Sequence, residues 1–158
     1  MRAYFLTNFY LSPIQHGIQS AHALAEMSVH YFSAFQDDPD TYAPYYDTYV
    51  DWVTNHKTII VLNGGMNKDM EDFYDYLWQV KPVDNPRIPW GVFYEPELRE
   101  TLTAIALILP ELHCQALDQY REQGQQNPQY MSFSQYVNLL SPWEIGLLDM
   151  LSKKGLAR

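Results

Sequence analysis

The densest row of residues able to do chemistry lies along the first helical pattern of the chain. Gln15, Gln19, His22, Glu26 and His30 are spaced by four, three, four and four residues. At about 100° per residue, this spacing places all five side chains on one face of a helix. Amides, imidazoles and a carboxylate together can orient water, accept a proton or stabilise an oxyanion. The row therefore predicts a polar site along the first helix.

Part of this row has the ligand types of a zinc or iron site. His22, Glu26 and His30 lie at successive helical turns, and imidazole with carboxylate suits both metals. Three ligands over two turns span about 12 Å of rise and cannot converge on one ion. We therefore predict neither a metal nor a cofactor. A two-ligand site completed from elsewhere and an ordinary hydrogen-bonded His22 at the core boundary are the alternatives.

Nucleophile and phosphate-binding motifs are missing from the sequence. There is no G-x-S-x-G, and the NGGMNKDM segment lacks the spacing of a P-loop. The one cysteine, Cys114, excludes an internal disulfide and is expected to be a buried apolar residue. It fits a reducing compartment, and neither a signal peptide nor a membrane-spanning segment is predicted. We expect a cytoplasmic protein.

The charge balance disfavours nucleic acid as a partner. Ten Lys and Arg oppose nineteen Asp and Glu, which gives a net charge of −9. Residues 3–56 contain no Lys or Arg, but they contain six carboxylates. Nucleic-acid binding draws most of its non-specific affinity from cations that neutralise phosphates. The acidic surface fits a basic protein partner, or it simply keeps the chain solvated.

The elements that position the polar row follow the order strand, helix, strand, helix, strand, strand. Strands are predicted over residues 3–11, 57–63, 88–96 and 101–109. Helices are predicted from Pro13 to about residue 35, after a Ser12 cap, and over 67–80. The first helix is expected to turn one apolar stripe towards the sheet, formed by Ile14, Ile18, Ala21, Ala25, Val29 and Phe32.

This order predicts an α/β fold with a three-layer-like, mixed four-stranded sheet and flanking helices. Residues 1–110 form the α/β domain. Residues 111–158 form a C-terminal helical extension packed on the same domain, with a short helix before the last one. In the last helix, Ser141 and Glu144 form a capping box around Pro142.

Residues 37–56 read as a long loop rich in aromatic side chains. Such loops are often contact surfaces, so a protein partner is one interpretation. The other is that the aromatic residues cover one edge of the core. The residues concerned are Tyr42, Tyr45, Tyr46, Tyr49 and Trp52.

Two stretches of the sequence resemble a known family. Residues 19–23, QSAHA, resemble the A-Q-x-x-H-A signature of the archaeal-type, second class of peptidyl-tRNA hydrolases. Residues 90–98, WGVFYEPEL, with 102–106, LTAIA, resemble a divergent branch of that family, in which an F-x-E-P-D-L strand end precedes a T-A-x-A strand. The resemblance covers about residues 1–110.

The resemblance implies hydrolysis of the ester that joins a peptide to the 3′ end of tRNA. It implies a catalytic group of Gln19, His22 and Glu95, in which Glu95 positions water or acts as general base. Residues implied to bind substrate are Gln15, His16, Glu97 and Thr103. The family commonly forms dimers, and the apolar content here permits a homodimer without requiring one.

Two departures from the family pattern support an alternative function. The family usually has a lysine where this chain has Gln15, and its D-A-G-x-T segment is replaced by Glu95-Pro96-Glu97. The alternative is a catalytically degenerate member of the fold that acts as an acidic protein-binding or regulatory module. It would engage its partner through residues 37–56 or the C-terminal helices. A metal-assisted hydrolase is a third, weaker possibility.

Overall fold

Four strands form one mixed sheet in the computed structural model, which describes residues 1–79, 88–126, 136 and 138–157. The strands are β1 (Arg2–Asn8), β2 (Ile59–Gly65), β3 (Trp90–Glu95) and β4 (Thr101–Leu109). Their order across the sheet is β2-β1-β4-β3. β1 is parallel to β2 and antiparallel to β4, and β3 is antiparallel to β4. The predicted mixed four-stranded sheet is confirmed.

Helices cover both faces of this sheet. α1 (Pro13–Asp37) and α2 (Pro39–Asp51) share one apolar core with alternate residues of β1 and β4. α3 (Asn67–Trp78), α4 (Glu111–Gln126) and α5 (Pro142–Ser152) share a second core with the other alternate residues. Successive strand side chains point to opposite faces, so each central strand contributes to both cores. The prediction of an α/β protein is confirmed.

The cap of α1 is as predicted, but its inward face is not. Ser12 caps the helix and Pro13 opens it. The stripe expected to face inward is instead exposed along its whole length, and Ile14, for example, is 77% exposed. α1 instead buries residues one-half turn away: His16, Gln19, Ser20, Ala23, Met27 and Tyr31.

The close approach of α1 to the sheet explains the inward face. A Cβ built on Gly91 of β3 would lie 2.7 Å from the Cβ of Met27. The sheet surface beneath the helix is made of small residues, including Ala104 and Ala106. The small strand residues therefore let the face of α1 that carries Ala23 and Met27 pack closely against the sheet.

The prediction of a loop at residues 37–56 is wrong, because this segment is helical. α2 is followed directly by a π-helical turn, Trp52–His56. The Asp38 side chain accepts a hydrogen bond from the Thr41 backbone N–H at 3.2 Å, and Pro39 occupies the first turn. These are the ordinary start signals of a helix.

The aromatic residues of this segment mainly cover the core. Tyr45, Tyr49 and Trp52 are buried, and Tyr42 and Tyr46 are half-buried. The Tyr31 and Tyr45 rings stack with centroids 5.6 Å apart. Most of this aromatic surface is therefore used within the chain.

The C-terminal helices belong to the same body as the sheet. The capping box of Ser141 and Glu144 at the start of α5 is confirmed. Cys114 of α4 is buried in the core, as expected. α4 continues to residue 126, so the polar connection predicted at 123–129 begins inside a helix. Most of the short helix predicted before the last one lies outside the described residues, as do the end of the 67–80 helix and its Lys81-Pro82 stop.

A buried histidine–carboxylate hydrogen bond joins α4 to α5. His113 Nε2 and Glu144 Oε1 are 2.5 Å apart, and both side chains are nearly inaccessible. Burial alone raises the pKa of Glu144, but hydrogen bonds from His113 and from Ser141 outweigh it and hold that pKa below its ordinary value. Glu144 is therefore ionised, and its hydrogen bond to His113 links α5 to α4.

Across the described segments, no helix is long and apolar enough to cross a bilayer.

Candidate active site

β1 and β3 end, and β4 begins, at the same end of the sheet, beneath the first half of α1. The last residues of β1 pair with the first part of β4, because Thr7 lies opposite Ala104. The end of β3 pairs with the start of β4, because Glu95 lies opposite Thr101. This topology brings the polar residues of the first helix and of the third strand end to one place.

Gln19 is at the centre of a hydrogen-bond chain at this edge. The Thr103 hydroxyl donates to Gln19 Oε1 at 2.7 Å, and Gln19 Nε2 donates to Glu95 Oε2 at 2.7 Å. Thr103 is fully buried and Gln19 nearly so, whereas Glu95 is half-buried. The two bonds fix which end of the amide faces the carboxylate. Glu95 is therefore held in one orientation, with its second oxygen left to meet a ligand or water.

His22 borders this chain from the next turn of α1. Its ring packs edge-on against the Phe93 ring of β3, with centroids 4.4 Å apart. The Phe93 carbonyl in turn accepts a longer, 3.4 Å bond from Thr103. His22 is exposed, so its imidazole can meet a substrate at the rim. The structure thus brings Gln19, His22 and Glu95 into one neighbourhood.

His16 forms a second buried polar contact beside the chain. Its Nδ1 lies 2.7 Å from the Thr7 hydroxyl, and burial lowers the pKa of the ring below its ordinary value. The Ser20 hydroxyl donates to the His16 carbonyl at 2.7 Å. These bonds hold the His16 side chain between α1 and the sheet. It is therefore better placed to position α1 than to touch a substrate.

Gln15, Glu26 and His30, the other members of the predicted polar row, make no contact with this hydrogen-bond chain in the described residues. Gln15 accepts a bond from the Ser12 backbone N–H at 2.9 Å, so it caps the helix. Glu26 is exposed, and the His30 ring contacts Tyr31 at a centroid distance of 4.8 Å. In the part of the chain that the structure describes, no three His, Cys, Asp or Glu side chains are grouped as metal ligands would be.

A small cleft of about 360 Å³ lies at the turn between β3 and β4, and Glu95, at the end of β3, is not one of its lining residues. Glu97 is one of its lining residues, as a substrate-binding role would require. The lining also includes Arg99 and an exposed aromatic residue, and the full set is Tyr10, Asn67, Glu97, Leu98, Arg99 and Thr101. The cleft therefore offers both signs of charge and an aromatic ring to a ligand.

The turn that forms this cleft has an unusual backbone. Arg99 and Glu100 have φ values of 59° and 55°, in the left-handed region that costs a non-glycine residue about 1–2 kcal/mol. Such conformations cluster at functional sites, where surrounding structure enforces them. Sequence reasoning missed Arg99, because no glycine or asparagine marks a left-handed turn there. The charged run of residues 95–100 was the signal available.

No model of a known protein family matches the chain, and no curated protein sequence matches it either. The interpretation of this site therefore depends on its geometry and on the motif resemblance described above.

Proposed function

We propose that the chain is a peptidyl-tRNA hydrolase-like protein that hydrolyses an acyl ester, with Glu95 as general base. The observation that supports this function is the hydrogen-bond chain from Thr103 through Gln19 to Glu95. A carboxylate that is fixed by a buried partner at a strand end has the positioning that a general base needs. The same three residues belong to the motifs that resemble the hydrolase family.

In this reaction Glu95 accepts a proton from water, and the resulting hydroxide adds to the ester carbon. The tetrahedral intermediate then breaks its bond to the ribose oxygen, which takes up the proton. Gln19 has a second amide hydrogen beyond the one donated to Glu95. That hydrogen suits the oxyanion, and the exposed His22 imidazole, three residues further along α1, supplies a second donor.

Charge limits how such a substrate can bind. Arg2 pairs with Asp118 at 2.6 Å, and Lys68 pairs with Asp72 at 2.9 Å. Arg99 is the cation that lines the cleft. Because few cations of the described residues are free to neutralise phosphates, we propose that the acyl group and the terminal nucleoside supply most of the binding, and the body of a tRNA little.

Release of the acyl group from N-acetylated aminoacyl-tRNA, and from the matching aminoacyl-adenosine ester, tests this function. At low salt, where electrostatic binding is strongest, the wild-type protein should hydrolyse both. Glu95→Gln should slow release by about 100-fold or more. Glu26→Gln is the matched control, because it removes an exposed carboxylate from α1 and should leave the rate unchanged. Equal rates for the two variants would exclude Glu95 as the base.

The acidic surface favours a second candidate, a catalytically degenerate module that binds a basic protein. Deleting residues 37–56 is a poor test of this function, because Tyr45, Tyr49 and Trp52 are buried and the core would be lost. Failure of the wild-type protein to release any acyl group, together with salt-sensitive binding to a polylysine probe, would favour this module. Hydrolysis that disappears in Glu95→Gln would exclude it.

A further inference from the structure

Four aromatic rings meet at the outer edge of the sheet, on the face that α3 covers. Tyr74 and Trp78 belong to α3, and Trp90 and Tyr94 belong to the edge strand β3. We call these four residues the aromatic corner. The centroid of the Tyr74 ring lies 6.0–6.2 Å from those of the other three. The aromatic corner is separate from the candidate active site, because α1 and that site lie on the opposite face of the sheet.

Three of these rings are mutually perpendicular. The planes of Tyr74, Trp78 and Trp90 cross pairwise at 82°, 83° and 82°, with centroids 5.3–6.1 Å apart. Stacked rings cover one another's faces, whereas perpendicular rings can turn their faces to a common point, as three walls do at the corner of a box. Such a point lies about 4 Å from each centroid, well inside the range of about 6 Å over which a ring face attracts a cation.

The aromatic corner is anchored on one side and open on the other. Tyr74 and Trp90 are half-buried and pack against the core beneath α3. Trp78, in contrast, is 61% exposed, and Tyr94 is 36% exposed. Large aromatic side chains are usually buried, and an exposed group of them marks a site of interaction. The core therefore holds part of the corner in place, while the rest can contact a ligand.

Two carboxylates flank the rings. Glu71, Tyr74, Asp75 and Trp78 follow the spacing i, i+3, i+4, i+7, which places them on one face of α3. Glu71 and Asp75 are both exposed. Among the described residues neither of them forms an ion pair, whereas the lysine of α3 pairs with Asp72. The charge of both carboxylates is therefore available to a cation at the corner.

The ionisation of Tyr94 reflects this environment. Burial is the largest of the causes that raise the pKa of Tyr94 to about 12, and the hydrogen bond with Tyr74 and the charges of Glu71 and Asp75 add to it. Tyr94 is therefore a neutral phenol near pH 7. The corner combines neutral rings with negative charge beside them.

A cation with an apolar surface matches this combination. Aromatic faces and carboxylates both attract positive charge. A free ammonium is compact and strongly hydrated, whereas methyl groups on the nitrogen spread the charge and pack against the rings. A ligand that also carried a carboxylate would be repelled by Glu71 and Asp75. We propose that the aromatic corner binds a trimethylammonium group, carried by a small cation such as choline or by a trimethylated lysine side chain.

The indole N–H groups of the four tryptophans test this site by NMR. Choline chloride, titrated into isotope-labelled protein at constant ionic strength, should shift the Trp78 and Trp90 signals saturably, with a dissociation constant in the millimolar range. Trp52 and Trp143 are internal controls, because each donates its indole N–H to a backbone carbonyl at 3.1 Å. Equal shifts of all four signals would overturn the proposal.

Matched ligands separate charge from shape. The uncharged alcohol in which carbon replaces the nitrogen of choline should bind at least about fivefold more weakly than choline. Binding of that alcohol as tight as that of choline would show a merely apolar surface and would contradict the proposal.

A second pair of ligands separates the two sources of the group. The amide of N-acetylated trimethyllysine should bind at least about fivefold more tightly than its unmethylated counterpart. Tighter binding of choline than of this amide identifies a small cation as the ligand, and the reverse order identifies a protein side chain. Saturable shifts of Trp78 and Trp90 with neither ligand would overturn the proposal.

Substitutions tie the binding to the corner. Trp78→Leu removes an exposed ring but keeps an apolar side chain, and it should raise the dissociation constant, read from Trp90, about threefold to fivefold. Phe9→Leu is the matched control, because it removes an equally exposed ring outside the corner, and it should change nothing. Glu71→Gln should weaken binding about twofold, and less at high salt. Unmoved signals of the two control indoles check that each variant folds. Equal affinities of Trp78→Leu and the wild type would refute the assignment.

Discussion

Replacing Gly91 by alanine should force α1 and β3 apart. A Cβ at this position would lie 2.7 Å from Met27 Cβ, 2.9 Å from Met27 Cα and 3.0 Å from Met27 N. Carbon atoms in optimal contact are about 3.5–4.0 Å apart, so the two elements must separate by about 1 Å. Two of the three crowded atoms are helix backbone, and therefore no side-chain rotation relieves the overlap.

The separation should affect both stability and the site. Overpacking of this kind costs about 1–3 kcal/mol in the free energy of unfolding. Gln19 precedes Met27 by eight residues on the same helix, which is about 12 Å along its axis. A shift of about 1 Å at Gln19 would lengthen its 2.7 Å bond to Glu95 beyond hydrogen-bonding distance. A misplacement of that size can lower a catalytic rate by about 100-fold.

Urea denaturation followed by circular dichroism measures the stability change. Gly17→Ala is the matched control, because it lies in α1 with no atom within 4 Å of the added Cβ. That variant should be more stable by about 0.5–1 kcal/mol, since alanine favours a helix more than glycine does. An unchanged midpoint for Gly91→Ala, or a shift of both variants in the same direction, would refute the claim that α1 is held by close contact with β3.

Three further substitutions probe the site, the cleft and the hydrogen bond between His113 and Glu144. Thr103→Val should lower the free energy of unfolding by about 1–3 kcal/mol, because it leaves Gln19 Oε1 unpaired, and it should also lower kcat. Thr48→Val is the control, because the Thr48 hydroxyl donates only to a carbonyl of its own helix, α2, and this variant should change stability and kcat little. Arg99→Gly should stabilise the β3–β4 turn by up to about 1 kcal/mol while raising KM for an anionic substrate. Glu144→Gln should cost about 1–3 kcal/mol at pH 7. The pKa of Glu144 is lower in the folded protein than in the unfolded chain. Ionised Glu144 therefore stabilises the fold fully at pH values above its pKa in the unfolded chain, and this contribution is lost as the pH falls through its pKa in the folded protein. A urea series towards acid should therefore show the two proteins converging.

Local signals in the sequence were sufficient for the framework of the fold. The strand and helix order follows from apolar runs and breakers, and the caps at Ser12 and Ser141 follow from residue types one turn apart. These features depend on contacts within a few residues. The meeting of Gln19 with Glu95 was anticipated from two motifs, but its hydrogen-bond geometry required the packing of α1 on the sheet.

The helical state of α2 and the backbone conformation at Arg99 could not be predicted, because in both places tertiary packing overrides the local preference of the residues. α2 contains an internal proline, Pro44, and many tyrosines, which favoured a loop. Its packing on α1 overcomes that tendency, for instance through the stacked rings of Phe35 and Tyr46, with centroids 4.3 Å apart. The left-handed backbone at Arg99 is likewise imposed by the turn around it, because arginine has no intrinsic preference for that conformation.

The orientation of α1 explains both the position of the site and the exposed apolar stripe that includes Ile14 and Ile18. Turning the helix by half a turn would bury Ile14 and Ile18 and expose Gln19, which hydrophobicity alone would favour. The observed orientation buries polar side chains, a cost that is tolerable only because each has a partner: His16 with Thr7, and Gln19 with Thr103 and Glu95. Surface helices usually bury an apolar face and expose a polar one, whereas α1 buries His16 and Gln19 and exposes Ile14 and Ile18. Such local departures from the expected pattern concentrate at functional sites. The same orientation of α1 thus holds the Glu95 carboxylate from the inner face and leaves Ile14 and Ile18 exposed on the outer face.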